Sequence, residues 1–156
     1  MQFLIMFTLY SFIGQLCFEG GSQTQPVELV GLGSDIISFA AGSESSYFVL
    51  DTGSAVSCGR NNFGQLGDGS TNDSFLTNVS RTNMGNSRIL RVMAGPSASS
   101  AMFETINLFY GTGLNSRGQL GVGDTNNRNV PVEVQNSQSM SSYGGVSVSD
   151  THTLFW

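Results

Sequence analysis

The tetrapeptide Gly118-Gln119-Leu120-Gly121 repeats Gly64-Gln65-Leu66-Gly67 and, with one change, Gly14-Gln15-Leu16-Cys17. Successive copies thus begin at Gly14, Gly64 and Gly118, a nearly constant period. Two glycines around an amide mark backbone led along a tight path that a side chain would obstruct. Recurrence at such a period makes this a repeat chain, in which each unit buries its faces against its neighbours.

Other landmarks keep the same period. Ile36-Ile37-Ser38-Phe39-Ala40-Ala41 is an apolar run that stops at Gly42, and Ile89 to Ala94 stops at Gly95. Val146-Ser147-Val148 leads to Ser149, so the three stops are almost evenly spaced. A second apolar run follows each stop: Tyr47 to Leu50, Ala101 to Phe103, and Thr153 to Trp156. Asp51-Thr52-Gly53 reads as a hairpin turn into Ala55-Val56-Ser57-Cys58, and Glu104 to Asn107 holds that place before Leu108-Phe109-Tyr110. No segment keeps a helical period, so the chain is expected to be all-β, with about four short strands per repeat. That is the inventory of a propeller blade, and the expected fold is a partial β-propeller of four-stranded repeats of about fifty residues. Repeats occupy 19–156, with breaks near 35, 88 and 144. Two full repeats with a fragment on each side do not close a ring, so we expect part of a larger propeller, or self-association through open blade edges.

Residues 1–18 are strongly apolar but too short and interrupted for a membrane span. They read either as a degenerate first repeat, which the motif register favours, or as a signal peptide lacking a positive start. Cytoplasm or nucleus is the expected location, with secretion following only from the signal-peptide reading. Cys17 and Cys58 are too few for a disulfide scaffold; a bridge between them goes with the secreted reading, and otherwise each more simply fills a buried strand or turn position.

Composition narrows the function. Gly is abundant at 20 residues and the net charge is −5. All six basic residues are Arg and they are scattered, so direct nucleic-acid binding is not expected. The Gly111-x-Gly113 spacing is no phosphate loop, because neither a helix nor a Lys follows. Asp68 to Asp73 and Asp124 to Asn129 lack the sixth-position Gly and acidic twelfth residue of a calcium loop. His152 is the only His and has no sequence partner for metal binding or for a nucleophile triad, so it reads as structural. No catalytic residue, metal or cofactor is expected. Asn72-Asp73-Ser74 and Asn78-Val79-Ser80 are glycosylation sequons that matter only in a secreted chain and otherwise read as turns.

The stretches from Val49 to Gly69 and from Tyr110 to Asp124 resemble the regulator of chromosome condensation repeat, and Thr151-His152-Thr153-Leu154 is similar to the start of that family's second strand. Cys58 departs from the family's usual Trp, Ser45 and Ala98 from its usual His, and Leu9 from a Gly. The resemblance implies a seven-bladed propeller, of which this chain would be under half, and a rigid loop face that binds another protein. Family members include exchange factors for a Ran-like small GTPase and non-enzymatic interaction modules.

On this reading Gly59, Gly64, Gln65, Leu66, Gly67, Gly113, Gly118, Gln119, Leu120, Gly121 and His152 hold the repeat together. The glycines supply special backbone, and the two Gln side chains are expected to lock their turns. Partner contact is expected from the residues around the motif: Arg60, Phe63, Asn115, Arg117 and Arg128. The expected function is a non-enzymatic protein-interaction scaffold, with nucleotide exchange on a Ran-like small GTPase as the alternative.

Overall fold

A short apolar run has one way to satisfy its backbone when it cannot form a helix: it pairs with the next run through a tight turn. The computed structural model, which describes residues 4–5, 17, 27–28, 32, 34–85, 87–95, 98–137 and 146–155, follows that rule throughout. One antiparallel sheet is a meander of β3 (Ile36–Ala41), β4 (Ser45–Leu50), β5 (Ala55–Gly59) and β6 (Ser74–Asn78). A second repeats it with β7 (Arg91–Met93), β8 (Ser100–Glu104), β9 (Phe109–Gly113) and β10 (Arg128–Glu133). β11 (Val146–Val148) and β12 (Thr153–Phe155) pair as a further hairpin. Ahead of them, β1 (Leu4–Ile5) pairs with β2 (Val27–Glu28), setting Glu28 opposite Leu4 as Glu133 is set opposite Tyr110. The all-β fold of four-stranded repeats is therefore present in two complete copies. Met140, Trp156 and most of the apolar segment 1–18 lie outside the described residues.

The middle strands are buried on both faces, which is why their sequences run apolar without alternating. In β4 all six residues are buried, and the odd and even ones serve different interfaces. Tyr47 and Val49 face the second sheet, joining Ile89, Val92, Ala101, Phe103 and Tyr110 in one core. The Tyr47 and Phe103 rings meet edge to face with centroids 6.1 Å apart. Phe48 and Leu50 face the other way with Val56 and Cys58, against Cys17, Leu32 and Ile36. The second sheet packs its far side, through Met102, Phe109, Leu120 and Val134, on Val146, Val148 and Phe155 of the last hairpin. Burial of each large side chain contributes about 1.5–3 kcal/mol, so the interfaces between sheets carry the stability.

Alternating strands and turns divide the loops between two rims. The turn 42–44 and the long connection 60–73 lie at one end of the first sheet, and 114–127 and 149–152 hold the corresponding places in the later units. At the other end are the turns 51–54 and 105–108. Adjacent sheets are tied at the first rim by the Ser43 N–H donating to the Ala98 carbonyl at 3.0 Å, and between their first strands by the Val92 N–H donating to Ser38 Oγ at 3.2 Å.

One expectation is corrected. Cys17 and Cys58 do not fill separate positions: they form a disulfide, with Cα atoms 5.2 Å apart across 41 residues. Cys58 is buried in β5, and the packing between that strand and the preceding unit brings Cys17 onto it. Only the assembled interface creates the proximity, so the spacing along the chain gave no sign of it.

Candidate functional site

The two long connections are built on one internal skeleton. In the first, the Asn61 side chain is fully buried and acts as its hub. Asn61 Oδ1 accepts from the Leu66 amide at 2.9 Å, while Nδ2 donates to Asp68 Oδ1 at 3.2 Å and to Ser70 Oγ at 3.1 Å. The Asn61 amide donates to Asp73 Oδ1 at 2.7 Å. Two successive tight turns follow, from the Gly64 amide to the Asn61 carbonyl and from the Gly67 amide to the Gly64 carbonyl. Gln65 Oε1 accepts from the Phe63 amide at 2.9 Å, bracing the first of those turns.

One period later, the same pattern recurs. Asn115 Oδ1 accepts from the Leu120 amide at 2.9 Å, and its Nδ2 donates to the Asp124 carbonyl at 2.9 Å. Asn127 takes the part of Asp73 through its Oδ1, and Gln119 Oε1 accepts from the Arg117 amide. Gly118 and Gly121 close the same two turns. Gly64 shows why no other residue serves there. Its φ is +80°, and a Cβ would fall 2.5 Å from Asn129 Cα in the following sheet. Leu66 and Leu120 are both fully buried under their turns.

The placement of Asn115 corrects one sequence expectation. It is 0% exposed and wholly engaged inside the turn, so it belongs to the framework rather than to the contact surface. Its carboxamide pairs with backbone atoms five and nine residues further along the same loop, which the successive turns fold back onto it. Asn61, Asp73 and Asn127 were likewise missed as framework residues, although their 12-residue spacing from hub to clamp repeats in both copies.

Of the other expected contact residues, one is exposed and three, Arg60, Phe63 and Arg128, are half-buried. Arg117 is exposed, and Phe63, which holds the same register position in the preceding repeat, is half-buried. Arg60 pairs with Glu44 at 2.7 Å, with both side chains over a third exposed. Arg128 pairs with Asp124 across one loop turn. The Asn126 amide and then Arg128 hold the Asp124 carboxyl below its ordinary range. Beneath the rim, burial drives the Tyr47 phenol far above its usual value, and its hydroxyl donates to the Gln65 carbonyl at 3.1 Å. Arg91, on β7, is held protonated by Glu104 at 2.6 Å.

His152 is exposed in the turn 149–152, with Nδ1 3.0 Å from Thr151 Oγ1 and 3.2 Å from Ser149 Oγ. That turn faces the second skeleton across a cleft of about 190 Å³ lined also by Arg117, Gln119 and Phe155. Gln119 Nε2 donates to the Asp150 carbonyl at 2.8 Å, and Thr153 Oγ1 donates to the Gln119 carbonyl at 2.9 Å. The first skeleton is sealed in a related way, by Thr112 Oγ1 donating to the Gly64 carbonyl at 2.9 Å. Among the described residues, no three His, Cys, Asp or Glu side chains gather around a common point. No described helix is long and apolar enough to cross a membrane.

Known proteins carry the same pattern. Residues 108–156 and 36–65, about half of the chain together, each match a family described as the regulator of chromosome condensation (RCC1) repeat. Over 102 residues, 65% of this chain, it is 38% identical to the ultraviolet-B receptor UVR8 of Arabidopsis thaliana, of which it spans 23%. The fold superimposes on human WBSCR16 with a TM-score of 0.73 at 19% identity, covering 86% of this chain and 34% of that one. It superimposes on Prp20p of Saccharomyces cerevisiae with a TM-score of 0.75 at 18% identity, covering 93% of this chain and 37% of that one. The chain thus spans well under half the length of these relatives. Repeated skeleton, meander order and matched segments agree, and the chain belongs to the regulator of chromosome condensation repeat family.

Proposed function

We propose that this chain forms part of a non-enzymatic protein-interaction scaffold, with the rim that carries 60–73 and 114–127 as its contact surface. One observation supports this reading above others. Two loops share a hydrogen-bonded skeleton, yet place different side chains outward at matching positions: Arg60 against Leu114, Asn62 against Ser116, and Phe63 against Arg117. A constant frame with variable tips is how stacked repeats make a rigid, specific surface without binding energy being lost to loop ordering.

The test uses the full-length protein carrying this chain, with a photoreactive amino acid at Phe63, at Arg117, or at the 76%-exposed Ile106 of the opposite rim. The expected outcome is adducts to one common protein from the first two sites and none from the third. Adducts from Ile106 alone, or equally from all three, contradict the reading.

Nucleotide exchange on a Ran-like small GTPase is the second reading. It draws support from Prp20p, whose structure is described with its binding to Gsp1p and histones. Accelerated release of a fluorescent guanosine diphosphate from such a GTPase, lost when Arg117 is replaced by Glu, supports it. Release at the unassisted rate removes this reading and leaves the scaffold standing.

A further inference from the structure

Two departures from the repeat pattern meet at one point. In sequence register, Cys17 stands where the later copies have Gly67 and Gly121, and Cys58 stands where the next repeat has Thr112. At the interface between the two complete sheets, those positions touch without bonding: a Cβ on Gly67 would lie 3.3 Å from Thr112 Cγ2. At the preceding interface, the same two positions carry sulfur and are joined. Cys17 even retains the backbone of the glycine it replaces, with φ +55° against +69° at Gly67 and +65° at Gly121. A side chain in that region is strained, so cysteine is a poor occupant unless its sulfur is used.

We propose that Cys17–Cys58 is a redox-controlled covalent staple between successive repeats, standing in for the Gly67–Thr112 packing contact of the next interface. Formation needs an external disulfide, such as glutathione disulfide or an oxidised dithiol oxidoreductase. The Cys17 thiolate attacks it, forming a mixed disulfide and releasing one thiol; the Cys58 thiolate then attacks Cys17 Sγ and releases the second. Two protein thiols are oxidised, one disulfide is reduced to two thiols, and the two protons pass to the departing thiolates. Exchange enters through Cys17, which is half-buried, because Cys58 is 0% exposed between Phe48 and Val56. Reduction frees one interface only. The Tyr47–Phe103 core between the two complete sheets has no cysteine and is indifferent to potential.

The experiment treats the full-length protein with glutathione disulfide and digests it, unreduced, with a Glu-specific protease. Cleavage after Glu19, Glu28 and Glu44 separates the two cysteines, whereas trypsin first cuts at Arg60 and leaves them in one peptide. A peptide joining Cys17 to Cys58 is expected. Dithiothreitol should then lower Tm by about 5–10 °C and raise amide exchange in 55–58 but not in 109–113. The double variant Cys17→Gly with Cys58→Thr, which recreates the next interface, should show no response to reductant. If that variant does not fold, Cys17→Gly alone restores the turn glycine and gives the same reading. Absence of the linked peptide, an unchanged Tm on reduction, or an equal response in the variants overturns the proposal.

Discussion

A single carboxamide decides the shape of each long loop. Asn115, itself 0% exposed, reaches the buried Leu120 amide on one side and the carbonyl of the exposed Asp124 on the other. An alanine there would leave the buried Leu120 N–H without a partner, at about 1–3 kcal/mol, and would also forfeit the bond to the Asp124 carbonyl at about 1 kcal/mol. Asn115→Ala should therefore lower the unfolding free energy by about 2–4 kcal/mol in urea titration, and Asn61→Ala should match it. A loss under about 0.5 kcal/mol for both would show that water replaces the carboxamide and that the hub role is wrong. The misreading of Asn115 as a contact residue has the same origin. A polar side chain in a glycine-rich loop reads as solvated, and only the folded path of that loop shows its own backbone turning back to draw the side chain inward.

At the level of the strand and its turns, visibility in the sequence follows burial. β3, β4, β5, β8 and β12 were legible because apolar runs sit between turn residues. β6 and β10 were not located as strands of their own, for they close the sheets at the edge and mix polar with exposed apolar residues such as Phe75 and Leu76. The glycine positions were plain from their period, but what each one must avoid was not. Gly64→Ala meets both a positive φ and the neighbouring Asn129 backbone, whereas Gly85, at φ +58°, has nothing within 4 Å of its would-be Cβ. Thermal unfolding should place Gly64→Ala at a cost of about 3 kcal/mol or more and Gly85→Ala near 1 kcal/mol. Equal costs would mean that backbone conformation alone, not the approach of the next sheet, selects the glycine.

For the molecule as a whole, stability resides between repeats rather than within them. Phe103 is 0% exposed and belongs to a core that draws on both complete sheets. Phe103→Ala should cost about 3–5 kcal/mol, and amide exchange should accelerate in β4 of the first sheet as well as in β8 of its own. Acceleration confined to β8 would make the sheets independent folding units, against the nearest-neighbour coupling expected of stacked repeats.

The seals on the two skeletons carry a consequence for how such chains can lengthen. Gly64 is capped by Thr112 of the following unit, and Gln119 by Asp150 and Thr153 of the unit after that. A segment excised from one knot to the next is thus never self-sufficient, since its final loop borrows a hydroxyl or carbonyl from its successor. Gene duplication that inserts a whole number of periods preserves every loan, wherever the crossover falls. Insertion of a fractional period leaves a lender facing the wrong borrower, which keeps the distance between knots almost constant while the loop tips are free to drift.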